Sequence, residues 1–141
     1  MMRVLLDTDV VLDVIMGREP FAKEAAELLD LSEQGEFEAY VSAITPLNVF
    51  YVARKARTKA DLRQAVYELL QTVRVCTIDE SALANAFTLS FDDYEDAVQH
   101  CCATANNLEG IVTRNLKDYK NATLPVFSPT DFLAKLKSQP T

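Results

Sequence analysis

Short apolar, β-rich runs alternate with helical periodicity along this sequence, and that alternation restricts the fold more than any other feature. Arg3 to Leu6 reads as a strand that stops at Asp7, and from Val10 to Met16 the apolar spacing is helical until Gly17. Pro20 suits a helix's first turn, after which Phe21, Ala25, Leu28, Leu29 and Leu31 form a core-facing stripe ending near Gly35. Phe37 to Val41 is a second strand, with Ser42 as cap for a helix carrying Ile44, Leu47, Val49, Phe50, Tyr51 and Val52. Asp61 to Leu70 predicts a helix, Val73 to Ile78 a strand, and Asp79 to Leu89 a helix with an acidic cap. Asp93 to Leu108 is the clearest helix, closing at Gly110, and Gly110 to Thr113 then reads as a buried strand. Val126-Phe127 is a last short strand and Thr130 to Lys137 a closing helix. Strands separated by helices run parallel with both faces covered, and such sheets gather functional groups beyond their strands' carboxyl ends.

The 141 residues fit one domain, 1–141, with no composition shift to mark a boundary. Fourteen Lys and Arg stand against 21 Asp and Glu, a net charge of -7, so a polyanion that binds here has to meet a local basic patch or a metal. Cys76, Cys101 and Cys102 suit neither a disulfide framework nor a zinc site, which points to a reducing cytoplasm. The apolar N-terminus is interrupted by Asp7, Asp9 and Asp13, so neither a leader peptide nor a membrane span is expected.

Three acids are placed to converge. Asp7 follows the first strand and Asp118 follows the 111–113 strand after a short turn, so both reach one sheet edge. On the intervening helix, at about 100° per residue, Asp93, Asp96, His100, Thr104 and Asn107 form a polar stripe beside the apolar stripe of Ala97, Cys101, Ala105 and Leu108. That arrangement suits a helix lining a cleft, with Glu95, Gln99, Cys102 and Asn106 facing outward. Two like charges about 4 Å apart repel by roughly 4 kcal/mol at an effective dielectric of about 20, so a cation is needed. All-oxygen donors favour Mg²⁺ or Mn²⁺, which take a few carboxylates and complete their shell with water and substrate phosphate. Such an ion would hold a water for attack and polarise a phosphoryl oxygen.

The segment VLLDTDVVLD, with Asp7, Thr8 and Asp9, resembles the first motif of the PIN-domain family; DYEDAVQ, with Asp93 and Asp96, resembles its third; and IVTRNLKDY, with Thr113, Asn115 and Asp118, its last. The resemblance spans nearly the whole chain. It implies a three-layer αβα sandwich around a parallel sheet of four to five strands, and an endoribonuclease that cuts single-stranded RNA by metal-activated water. It also implies Asp7, Asp96 and Asp118 as metal ligands, Asp93 and Asn48 as their supports, and Thr113 and Asn115 as positioning groups. A toxin of a toxin–antitoxin pair, with an antitoxin protein as partner and a homodimer as the assembly, completes that expectation. One position departs from the pattern: SAITPLNVFY puts Asn48 where most members carry Glu, which removes one negative charge while leaving an amide that can still bind metal or water.

The remaining polar residues have structural readings. Asp9 and Asp93 suit helix caps, with Asp9 kept as a supporting acid. His100, four residues from Asp96, is structural unless it meets that carboxylate or the substrate. Tyr94, Tyr119 and Phe127 read as packing, and the cysteines as small core residues. Arg54, Lys55, Arg57, Lys59 and Arg63 form the one dense basic stretch, with Arg54 and the crevice-facing Arg114 as candidate substrate contacts. Two other functions fit parts of the chain: a haloacid-dehalogenase-type phosphatase using Asp7 as nucleophile, since DTDVV also resembles that motif, and a non-catalytic RNA- or protein-binding module in which Asn48 has disabled the site.

Overall fold

The computed structural model describes residues 1–138. Five parallel strands, β1 (Arg3–Leu6), β2 (Glu38–Ser42), β3 (Arg74–Cys76), β4 (Gly110–Val112) and β5 (Val126–Phe127), lie in the order β3-β2-β1-β4-β5. Among the described residues seven α-helices flank them: α1 (Thr8–Ile15), α2 (Ala22–Glu33), α3 (Thr45–Ala53), α4 (Lys59–Thr72), α5 (Glu80–Asn85), α6 (Tyr94–Ala105) and, after the last strand, α7 (Pro129–Ser138). The chain builds outward from β1 in one direction through β2 and β3, then returns to lay β4 and β5 on its other side. The crevice at the carboxyl ends of β1 and β4 is therefore a topological switch point, where open parallel sheets bind ligands.

Side-chain alternation along the strands divides the core into two layers. Val4 and Leu6 of β1 and Val112 of β4 pack with residues of α1, α2, α3, α4 and α7, whereas Leu5 and Ile111 pack on the other face with Cys102, Ala103 and Tyr119. This is the expected three-layer αβα sandwich, and the sheet has five strands.

Several boundaries differ from the sequence reading for local reasons. Helix α1 begins at Thr8, two residues early, because Asp7 itself is the cap and accepts from the Thr8 N–H at 2.7 Å. The 79–89 helix breaks after Asn85 into a 3-10 turn over Ala86–Thr88. Helix α6 ends at Ala105, and Asn107, at φ 58°, carries the left-handed turn expected of Gly110. Gly110 sits inside β4, where a Cβ would lie 3.0 Å from the Phe127 ring and 3.2 Å from the Pro125 carbonyl, so its missing side chain serves the β4–β5 approach.

Candidate functional site

The site is assembled from strand ends. β1 delivers Asp7, β2 delivers Ser42, and Thr113 follows β4, all on the carboxyl edge of the sheet. Asp7 is 6% exposed and fully engaged: Oδ1 accepts from the Thr8 N–H at 2.7 Å and from Gln99 Nε2 at 2.7 Å, and Oδ2 from the Thr113 hydroxyl at 2.8 Å. Gln99, fully buried on α6, is the hub. Its amide also donates to the Tyr119 hydroxyl at 3.1 Å, and its carbonyl accepts from Ser42 Oγ at 3.1 Å. Tyr119 passes the connection on by donating to Asp96 Oδ1 at 3.2 Å. Behind Asp7, the buried hydroxyls of Thr8 and Thr45 are 2.9 Å apart. Every polar group of this network finds a partner, which makes burying it tolerable and fixes the Asp7 rotamer.

Asp9 does not act as the helix cap; it reaches across to the β4 loop. Its Oδ2 accepts from the Arg114 N–H at 3.1 Å and from Asn115 Nδ2 at 3.0 Å, while Oδ1 is buried without any hydrogen-bond partner. An orphaned carboxylate oxygen beside Asp7 has the chemistry of an unused oxygen ligand.

The electrostatics agree. Burial raises Asp7 above the usual carboxylate range. Burial, then the charge of Asp7, pushes Asp9 up to about 7, and burial followed by the charges of Asp7 and Asp93 does the same to Asp96. The acids thus share a field with too little positive charge. A raised carboxylate pKa means that ionisation opposes folding, so this stability is complete below the unfolded value near 3.8 and is lost as pH climbs through about 7. Thermal melts in a chelating buffer are expected to fall by several degrees from pH 5 to pH 8; a flat or rising profile contradicts the reading.

The family model of the PIN domain matches residues 3–117. The chain belongs to the PIN-domain family. No curated protein matches it at a significant level. Among solved structures it is similar to VapBC2 from Rickettsia felis bound to a DNA fragment of the promoter, with 16% identity, a TM-score of 0.71, and coverage of 90% of this chain and 98% of that one. A toxin–antitoxin complex from Klebsiella pneumoniae is 24% identical over 89% of this chain and 97% of the other, with a TM-score of 0.67. The sarcin-ricin-loop-cleaving toxin VapC20 of Mycobacterium tuberculosis is 12% identical, with a TM-score of 0.62 over 77% and 86%. At these identities the likeness is one of fold.

Within this PIN domain the expected residues divide. Asp7, Asp96 and Thr113 are joined through the network of Gln99 and Tyr119, while Asn115 and Asp9 are joined to it at the β4 loop. Asp93 caps α6 by accepting from the Asp96 N–H at 3.0 Å, and its charge adds to the field on Asp96. Asp118 is exposed in a 3-10 turn over Leu116–Tyr119; its carboxylate makes no hydrogen bond and acts on Asp96 through its charge alone. Among the described residues no group of three or more His, Cys, Asp or Glu side chains is placed to hold a metal ion by itself.

The two candidate substrate cations are both tied down. The Arg114 guanidinium turns back onto Asp13, with Nε 2.6 Å from Oδ2 and Nη2 3.1 Å from Oδ1, and its carbon lies 3.9 Å from the Phe21 ring centroid. Arg54 is exposed at the end of α3, folded over Tyr51 and bonded to the Tyr51 carbonyl.

The inward face of α6 is a correction to the sequence reading. Gln99 and Cys102, expected outside, are buried, and Glu95 is half-buried and bonded to Asn48. Thr104 and Ala105 are exposed instead. His100 is buried away from Asp96, its Nε2 accepting the Thr123 N–H at 3.0 Å, and burial lowers its pKa, so it is a neutral structural group. Tyr119, read as packing, is both core and site. Val98, Cys102 and Ala103 form an apolar stripe that brackets Gln99, but Ala97, Cys101 and Ala105 form a rival one beside it, so periodicity alone does not decide the phase.

Proposed function

We propose that this PIN domain is a divalent-metal-dependent endoribonuclease acting on single-stranded RNA, and the toxin partner of an antitoxin protein. The observation that carries this reading is the gathering of Asp7, Asp9 and Asp96 at the switch point, all raised in pKa, with the buried Oδ1 of Asp9 lacking any donor. Oxygen donors with excess negative charge fit a hard cation such as Mg²⁺ or Mn²⁺, held by one or two carboxylates with water completing the shell. Asp7 would hold it directly, with Asp96 and Asp9 reaching it through bound waters and Asp118 at the outer rim. When bound, the cation supplies neutralising charge and a polarised water for attack on the phosphodiester.

The chain's own residues set the geometry. Gln99, Thr8 and Thr113 fix Asp7, so the carboxylate cannot swing away as substrate arrives. Tyr119 orients Asp96, and Asn115 with the Arg114 amide orients Asp9. Because the chain carries a net charge of -7, RNA approach depends on the cation and on exposed Arg54, Lys55, Arg57, Lys59 and Arg63.

Partners follow from the surface and from the relatives. The Rickettsia felis and Klebsiella pneumoniae neighbours are toxin–antitoxin complexes, which supports an antitoxin partner. Leu47 and Tyr51 of α3 and Phe87 beyond α5 are 70%, 65% and 77% exposed, apolar surface that a second copy would cover in a homodimer. Among the described residues no helix is long and apolar enough to cross a membrane, and the three free cysteines suit the reducing cytoplasm.

The test is cleavage of an end-labelled single-stranded RNA by purified protein in Mg²⁺ or Mn²⁺ and in EDTA. Cleavage that needs the metal and disappears in Asp96→Asn is expected; RNA bound but left intact in both ions would favour a non-catalytic binding module.

A further inference from the structure

Glu95 occupies a place that packing alone does not explain. It stands in the first turn of α6 between Asp93, the cap, and Gln99, the residue that binds Asp7. Half-buried, it accepts one hydrogen bond, from Asn48 Nδ2 of α3, at 2.6 Å. Among the described residues no Lys or Arg pairs with it. The charges of Asp93 and Asp7 both reach it, so it lies in the same acidic field as Asp96. A glutamate held among acids by a neutral amide is costly unless a cation joins it, whereas a Gln would make the same Asn48 contact without the charge.

We propose that Glu95 is an additional carboxylate of the divalent-cation site, delivered from α6 and aimed by Asn48. The inference rests on the metal-dependent reading given above. Asn48 is then a positioning residue: its amide nitrogen fixes Glu95 while its carbonyl oxygen stays free for a water or the ion.

Calorimetric titration of the whole chain with Mn²⁺ tests this. Glu95→Gln keeps shape and the acceptor for Asn48, and is expected to weaken Mn²⁺ binding roughly tenfold with an unchanged melting temperature in EDTA. The reversed pair, Asn48→Asp with Glu95→Gln, restores the charge with donor and acceptor exchanged and is expected to recover most of that loss. Wild-type affinity in Glu95→Gln overturns the role of Glu95 and leaves the metal site standing. A wild-type protein that takes up no Mn²⁺ at millimolar concentration overturns the parent reading, and this inference with it.

Discussion

Asp7→Asn is expected to lower metal-dependent RNA cleavage by at least about 100-fold, the upper end of what loss of a metal-site group costs, while the protein folds normally. The substitution is close to isosteric. An Asn oxygen can still accept from the Thr8 amide and Gln99, and the Thr113 hydroxyl, now facing an NH₂, can rotate to accept from it and donate to Asp9 Oδ2, 3.4 Å away. What is removed is the charge at the centre of the field. Without metal, Asp9 and Asp96 then titrate closer to ordinary carboxylates, because Asp7 is the largest charge acting on each. The melting temperature in EDTA at pH 8 should hold or rise. A variant that cleaves at wild-type rate removes Asp7 from the chemistry; one that melts far below wild type makes it a structural residue.

The largest effect on stability is expected away from that centre. Arg114→Ala strips Asp13, which is 1% exposed, of a two-pronged guanidinium partner and leaves it only Arg18, whose Nε lies 3.0 Å away. Because Arg18 still pairs with Asp13, the cost is that of losing hydrogen bonds to a charged group, about 2–3 kcal/mol, equivalent to a fall in melting temperature on the order of 5–10 °C for a chain of this size. Stacking on Phe21 is lost as well. Arg114→Lys should recover little, since an ammonium cannot bond both carboxylate oxygens in one plane. Removing Asp13 together with Arg114 should cost less than Arg114→Ala alone, because no buried carboxylate is then left with Arg18 as its one cationic partner. A melting temperature within two degrees of wild type in Arg114→Ala would show that the pair does not hold the β4 loop to α1.

What could be read from the sequence follows from which interactions are local. Strand and helix alternation is written in nearest-neighbour periodicity, so the parallel sheet and the placing of Asp7 and Thr113 at strand ends were accessible. The rotation of α6 was not. Both of its faces mix small apolar and polar residues, and Gln99 is buried because Asp7, Ser42 and Tyr119, contributed by three distant segments, satisfy its amide. Read alone, a Gln on that helix belongs outside. Tyr119 and Glu95 were hidden in the same way, since the roles of both depend on that rotation. Asp9 reads as a cap from sequence because the β1–α1 turn offers two acids, and only the β4 loop decides that Asp7 caps while Asp9 crosses over.

The claim on which the rest depends is that these carboxylates take a divalent ion. Diffraction from crystals soaked in Mn²⁺, recorded above and below the manganese absorption edge, locates that ion without reference to activity. One anomalous peak is expected in direct contact with Asp7 and within one water of Asp96 and Asp9, absent from Asp7→Asn crystals. Ordered crystals at saturating Mn²⁺ with no peak at the β1–β4 crevice would contradict it.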